Sequence, residues 1–147
     1  MSATSKVFAL DPELRFIGVA SALGAPVADP QDGPDGLRRM GIVAAARRAG
    51  RNAGWGASIE APAGRGMAAL GALLEEVARE VAATMDGGSL PVVLGGDHAI
   101  AAGTWRGVGR ALGRPPGLLW IDAHLDAHTP HSSPSQNAHG MPLAALL

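Results

Sequence analysis

The sequence predicts an α/β fold on a mainly parallel sheet, and three observations carry that prediction. Short apolar runs of strand length, at 15–20 and 92–94, are separated by a long amphipathic stretch. Glycine, proline and aspartate cluster where these runs end. The order strand, helix, strand recurs at the spacing of βαβ units, which pair their strands in parallel.

Each element has its own warrant. "RFIGVA" (15–20) is a short apolar run, read as a first strand buried on both faces. "GAPVADPQDGPDG" (24–36) is too rich in Gly, Pro and Asp to be anything but loop. Pro34 suits the first turn of a helix, where its missing N–H costs nothing, and the helix runs to Gly50. "WGASIE" (55–60) is a second strand on a weaker signal. The stretch 66–88 is the clearest helix: Leu70, Leu73, Leu74, Val77 and Val81 form one stripe, Glu75, Glu76, Arg79 and Glu80 face out, and Gly87 and Gly88 end it. "SLPVVLGGDH" is a buried strand over 92–94 running into a glycine turn. "AIAAGTWRGVGRALG" is the next helix and "PGLLWIDAH" the next strand. An amphipathic helix is expected from Pro142, and the chain stops inside its apolar run at Leu147, the pattern of a single domain, 1–147, cut short at its C-terminus.

Composition narrows the function classes. The 147 residues suffice for one domain with a core. Net charge is −1, there is no basic block, and two Phe and three Trp make no stacking platform, so nucleic acid is not an expected partner. The absence of cysteine excludes disulfides, thiolate metal sites and a Cys nucleophile. No apolar run approaches the roughly 20 residues that span a bilayer, and the first residues carry an acid too early for a secretion signal. A soluble, cytoplasmic protein without a membrane partner is expected.

All five histidines lie in the last third: His98, His124, His128, His131 and His139. "VVLGGDHA" sets Asp97 and His98 past one strand end, and "LLWIDAHLDAHTP" sets Asp122, His124, Asp126 and His128 past the next. Ligands of open α/β sheets bind at this carboxyl end. If the chain stays near-extended, residues two apart share a face, so Asp122, His124 and Asp126 aim together with Ala123 and Leu125 turned back. Two carboxylates that close repel each other, and a divalent cation removes the cost. Donors of oxygen and imidazole without thiolate suit Mn²⁺, and Zn²⁺, Fe²⁺ or Co²⁺ less specifically. Asp97 reads as a turn or helix cap, His131 as a solvated loop residue, and Gly95–Gly96 as close backbone packing, since no phosphate-loop pattern is present. The polar, proline-bearing loop 128–142 suits a substrate-binding loop.

"GGDHAIAAG", "WIDAHLDAHTP" and "SPSQNAHGMPLAALL" resemble three successive motifs of the first half of arginases, in the ureohydrolase family, and "DGPDGLRRMGI" resembles their N-terminal Gly-Pro-x-x-Leu-Arg stretch. The resemblance implies a three-layer α/β/α fold and hydrolysis of L-arginine to L-ornithine and urea by water activated between two Mn²⁺ ions. By it, His98 and Asp126 serve one ion, His124 the other, and Asp122 bridges. His139 is implied as the proton-transferring acid/base, and Ser135 and Asn137 as contacts to the amino-acid end of the substrate. The family's second half supplies further aspartate ligands and a glutamate for the guanidinium, and the family commonly assembles as homo-trimers or hexamers. Two positions depart from the pattern: His128 stands where an Asn contacts the substrate carboxylate, and Gln136 stands where a glycine is usual, a strained choice if that position needs φ > 0. A non-catalytic remnant, or a ureohydrolase of another guanidino or formimino compound, remain the alternatives.

Overall fold

The computed structural model describes residues 10–147. Three strands form one parallel sheet: β1 (Leu14–Ala20), β2 (Ala53–Glu60) and β3 (Leu90–Gly95), in the order β2-β1-β3. Leu14 lies opposite Ala53 on one side and Leu90 on the other, so β1 is central. Its burial follows: Ile17 and Val19 are fully enclosed and Phe16 nearly so.

The chain steps from β1 to β2 through α1 (Gly33–Arg39) and α2 (Ile42–Arg48), then back across β1 to β3 through α3 (Gly66–Asp86). Right-handed crossovers in opposite directions put their helices on opposite faces of the sheet, which gives the three-layer arrangement. The helix expected over 34–50 is divided, because Gly41 takes φ +83° and starts a new helix. In α3 the expected stripe holds except at Leu74, which is only half-buried: Leu70, Leu73, Val77 and Val81 are buried and join Ile17, Val19, Ile59, Met85 and Ile100 in the core. Helix α4 (Ile100–Leu112) packs against α3. The close approach needs glycine: a Cβ on Gly107 would stand 2.5 Å from the Ala78 carbonyl oxygen. The Arg110 guanidinium of α4 forks onto the Glu75 carboxylate of α3 at 2.6 and 2.9 Å, which holds that carboxyl below its ordinary range.

Two expected elements do not form. The segment after Gly117 is not a strand, and Leu119, Ile121 and Leu125 are 80, 86 and 68% exposed. A strand exists only by pairing, and among the described residues β3 pairs with β1 alone and no strand lies beside 118–121. Residues 142–146 form turns rather than a helix, with Ala145 N–H donating to the Met141 carbonyl at 3.1 Å. No described helix is long and apolar enough to cross a membrane.

Candidate metal centre

His98 follows β3 in a turn that opens α4. Its Nδ1 stands 2.6 Å from an Asp126 carboxylate oxygen and 3.2 Å from one of Asp122. The three side chains offer ligand atoms within 4.8 Å of one another. The carboxylates are the better shielded, with side-chain exposures of 22% for Asp122 and 12% for Asp126 against 41% for His98. An imidazole and two carboxylates with no thiolate are a donor set that fits a hard or borderline divalent cation. The Trp120 ring lies 4.9 Å from that of His98, tilted by 30°, and buttresses it.

The backbone that gathers these groups is not extended. It bends at Ala123 and His124, and Asp126 takes φ +52°. The expected alternation of faces is therefore lost: Asp122 and Asp126 meet at His98, while the His124 side chain is 82% exposed, its Nδ1 3.7 Å from an Asp122 oxygen. His124 instead donates its backbone N–H to Asp122 Oδ1 at 2.8 Å. That bond is the main cause holding the Asp122 carboxyl below its ordinary range; burial opposes it, and His98 and His124 reinforce it.

The loop beyond is fastened to this segment. Leu143 N–H donates to the Asp126 carbonyl at 3.0 Å, and His128 N–H to that of Gly140 at 3.1 Å. These bonds bring His139 to a cavity of about 490 Å³ that Asp126, His124, His128 and Ser135 also line. Asn137 lies beside it, its backbone N–H on Ser135 Oγ at 3.3 Å. His128 Nδ1 is 3.3 Å from Ser132 Oγ, and His131 is exposed. Gln136 adopts φ +58°, a conformation costly to a side chain, and offsets it by donating Nε2 to the Pro130 and Ser133 carbonyls at 2.8 and 2.6 Å. A larger cavity, about 670 Å³, lies between α3, α4 and residues 145–147, lined mostly by apolar groups. Chemistry, not size, marks the site. Sequence reading assigns no role to Trp120, although its position two before Asp122 was a usable signal, nor to the Asp97 carboxylate beyond a cap; Asp97 Oδ2 accepts from Gly24 N–H at 3.2 Å, a bond that spans 73 residues and has no local signature.

A parallel α/β sheet with an imidazole and two carboxylates gathered beside its β3 end has the ground plan of a metal-binding α/β protein. The arginase family profile matches residues 13–147, and the chain belongs to that family. The arginase of Brevibacillus brevis is 35% identical over 147 aligned residues, covering 94% of this chain and 49% of that protein. Arginase-1 of Rattus norvegicus is 34% identical over 91% of this chain and 44% of its own. Among solved structures, Bacillus cereus arginase superposes with a TM-score of 0.82 at 34% identity, over 91% of this chain and 47% of that one. The chain spans about half the length of the relatives that match it along its whole length.

Proposed function

We propose that this chain carries part of a manganese-dependent arginase site, hydrolysing L-arginine to L-ornithine and urea. The observation that carries the reading is the convergence of His98, Asp122 and Asp126 within 4.8 Å, with His139 on the cavity that Asp126 lines. His98, Asp122 and Asp126 would hold one Mn²⁺, and Asp122 with His124 would serve a second. Bound there, two such ions supply a nucleophile from water at neutral pH, which the delocalised guanidinium carbon demands. His139 moves a proton to the leaving amine, a transfer suited to imidazole near pH 7. His128, Ser135 and Asn137 bind the amino-acid end of the substrate. The remaining ligands belong to the part of the family that this chain does not match, and homo-oligomeric assembly is part of the same proposal.

Two measurements test this. The purified 147-residue chain binds Mn²⁺ weakly by calorimetry and releases little urea from arginine; robust urea release with stoichiometric Mn²⁺ refutes the partial site. A chimera in which residues 13–147 replace the matched half of the Brevibacillus brevis arginase releases urea, and His124→Ala in it removes metal from one site. A folded but inactive chimera favours the non-catalytic reading. His128 and Gln136 favour a second outcome, in which the chimera prefers another guanidino compound over arginine.

A further inference from the structure

Asp97 adjoins the metal ligand His98 but is not in the metal group. It is 7% exposed, and backbone donors engage both carboxylate oxygens. Oδ1 accepts from Ala99 N–H at 2.8 Å, the bond a turn cap makes. Oδ2 accepts from Gly24 N–H at 3.2 Å, a partner 73 residues away in the loop after β1. A cap needs only the first bond. The second reaches a residue whose own carbonyl accepts from His139 N–H at 3.1 Å. Gly24 thus has Asp97 on its N–H and His139 on its C=O. The junction is tight: a Cβ on Gly24 would lie 2.7 Å from both Asp97 Oδ1 and Ala99 Cβ, and 3.2 Å from His139 N.

We propose that Asp97 and Gly24 are positioning residues that fix the proton-transfer residue His139 relative to the metal ligand His98. The proposal rests on the roles given above to His98 and His139. Without this tie the turn bearing His98 and the loop bearing His139 come from sequence positions about 40 apart, and ordering them against each other is an entropic cost that the preformed junction has already met. A carboxylate is the right group for the task because it can accept from two N–H donors at once, whereas an amide has one acceptor end only.

That difference supplies the test. Asp97→Asn keeps an oxygen for Ala99 N–H and sets its NH₂ against Gly24 N–H, so the turn survives and the tie is lost. Gly24→Ala inserts the methyl that has no room. Both variants of the 147-residue chain are compared with the parent by amide hydrogen exchange without metal, and by Mn²⁺-induced broadening of amide signals with MnCl₂ as the probe. Exchange at His139 rises about five- to tenfold, the equivalent of one lost hydrogen bond, while the buried amides of α3 stay protected. With Mn²⁺ the His139 amide broadens in the parent and less in both variants, at nearly unchanged Mn²⁺ affinity. Unchanged exchange and broadening at His139 in both variants overturns the proposal, as does a loss of protection spread over the whole core. If exchange rises but Mn²⁺ broadens nothing in the parent, the tie stands and the metal reading falls instead.

Discussion

Leu73 and Leu119 are both leucines in apolar runs, and the structure assigns them opposite weights. Leu73 is fully buried between α3 and the sheet, whereas Leu119 is 80% exposed in the unpaired segment before Asp122. Leu73→Ala removes a side chain whose surroundings are helix and sheet on all sides and cannot collapse far. A cost of about 3 kcal/mol is expected, within the range for buried leucines. At roughly 2–4 °C per kcal/mol for a chain of this size, the melting temperature falls by about 6–12 °C. Leu119→Ala removes contacts with water and changes stability by less than about 0.5 kcal/mol, or under about 2 °C. Differential scanning calorimetry of the two variants decides between these values. A Leu119→Ala chain as destabilised as Leu73→Ala would refute the reasoning, because it would mean that residues 118–121 are packed, as a strand paired at both edges would be.

Three further outcomes follow from the same geometry. Asp126→Asn weakens Mn²⁺ binding by about 30-fold or more, the equivalent of 2 kcal/mol or more lost with one partner of a close charge contact; an unchanged calorimetric isotherm refutes the assignment. Gly107→Val drives a side chain into Ala78 and Val81 of α3 and destabilises by about 1–3 kcal/mol in a thermal melt; an unchanged melting temperature refutes the tight contact. Glu75 titrates below an ordinary glutamate because Arg110 holds its charged form, and Arg110→Ala moves its carbon-13 titration midpoint upward. A depressed carboxyl stabilises the fold above the unfolded pKa and loses that contribution as pH falls through the folded one, so the acid limb of the stability curve flattens in Arg110→Ala.

The parts of the fold legible in the sequence are those set by local pattern. The α3 stripe was readable because burial repeats with the helix turn, and β1 because a doubly buried parallel strand is short and apolar. β3 forms where its apolar run predicts, but as an edge strand it is only half-buried, not the buried strand expected. Residues 118–121 have the same look and do not form a strand, since pairing depends on a neighbour that composition cannot reveal. The candidate metal group was half legible. His98, Asp122 and Asp126 were named from their strand-end positions and meet in space, but their meeting depends on a left-handed turn at Asp126, a residue type with no obligation to adopt one. The assumption of an extended chain therefore misaligned His124. At Gln136 the family's usual glycine was informative, and the backbone there is left-handed as that glycine implied.

The central place of β1 has a consequence for how the chain acquires its shape. Leu14 must await Ala53 on one side and Leu90 on the other, so the first of the three strands to be synthesised has both edges open until β2 has emerged and one edge open until β3 has. The sheet cannot seed itself from a hairpin or any other local event. Its nucleus must join segments far apart along the chain, and loop closure has to be met before any strand contact rewards it. Folding is then expected to be slower than the helical content alone suggests. During synthesis β1 is the segment with most need of protection from pairing with the wrong partner.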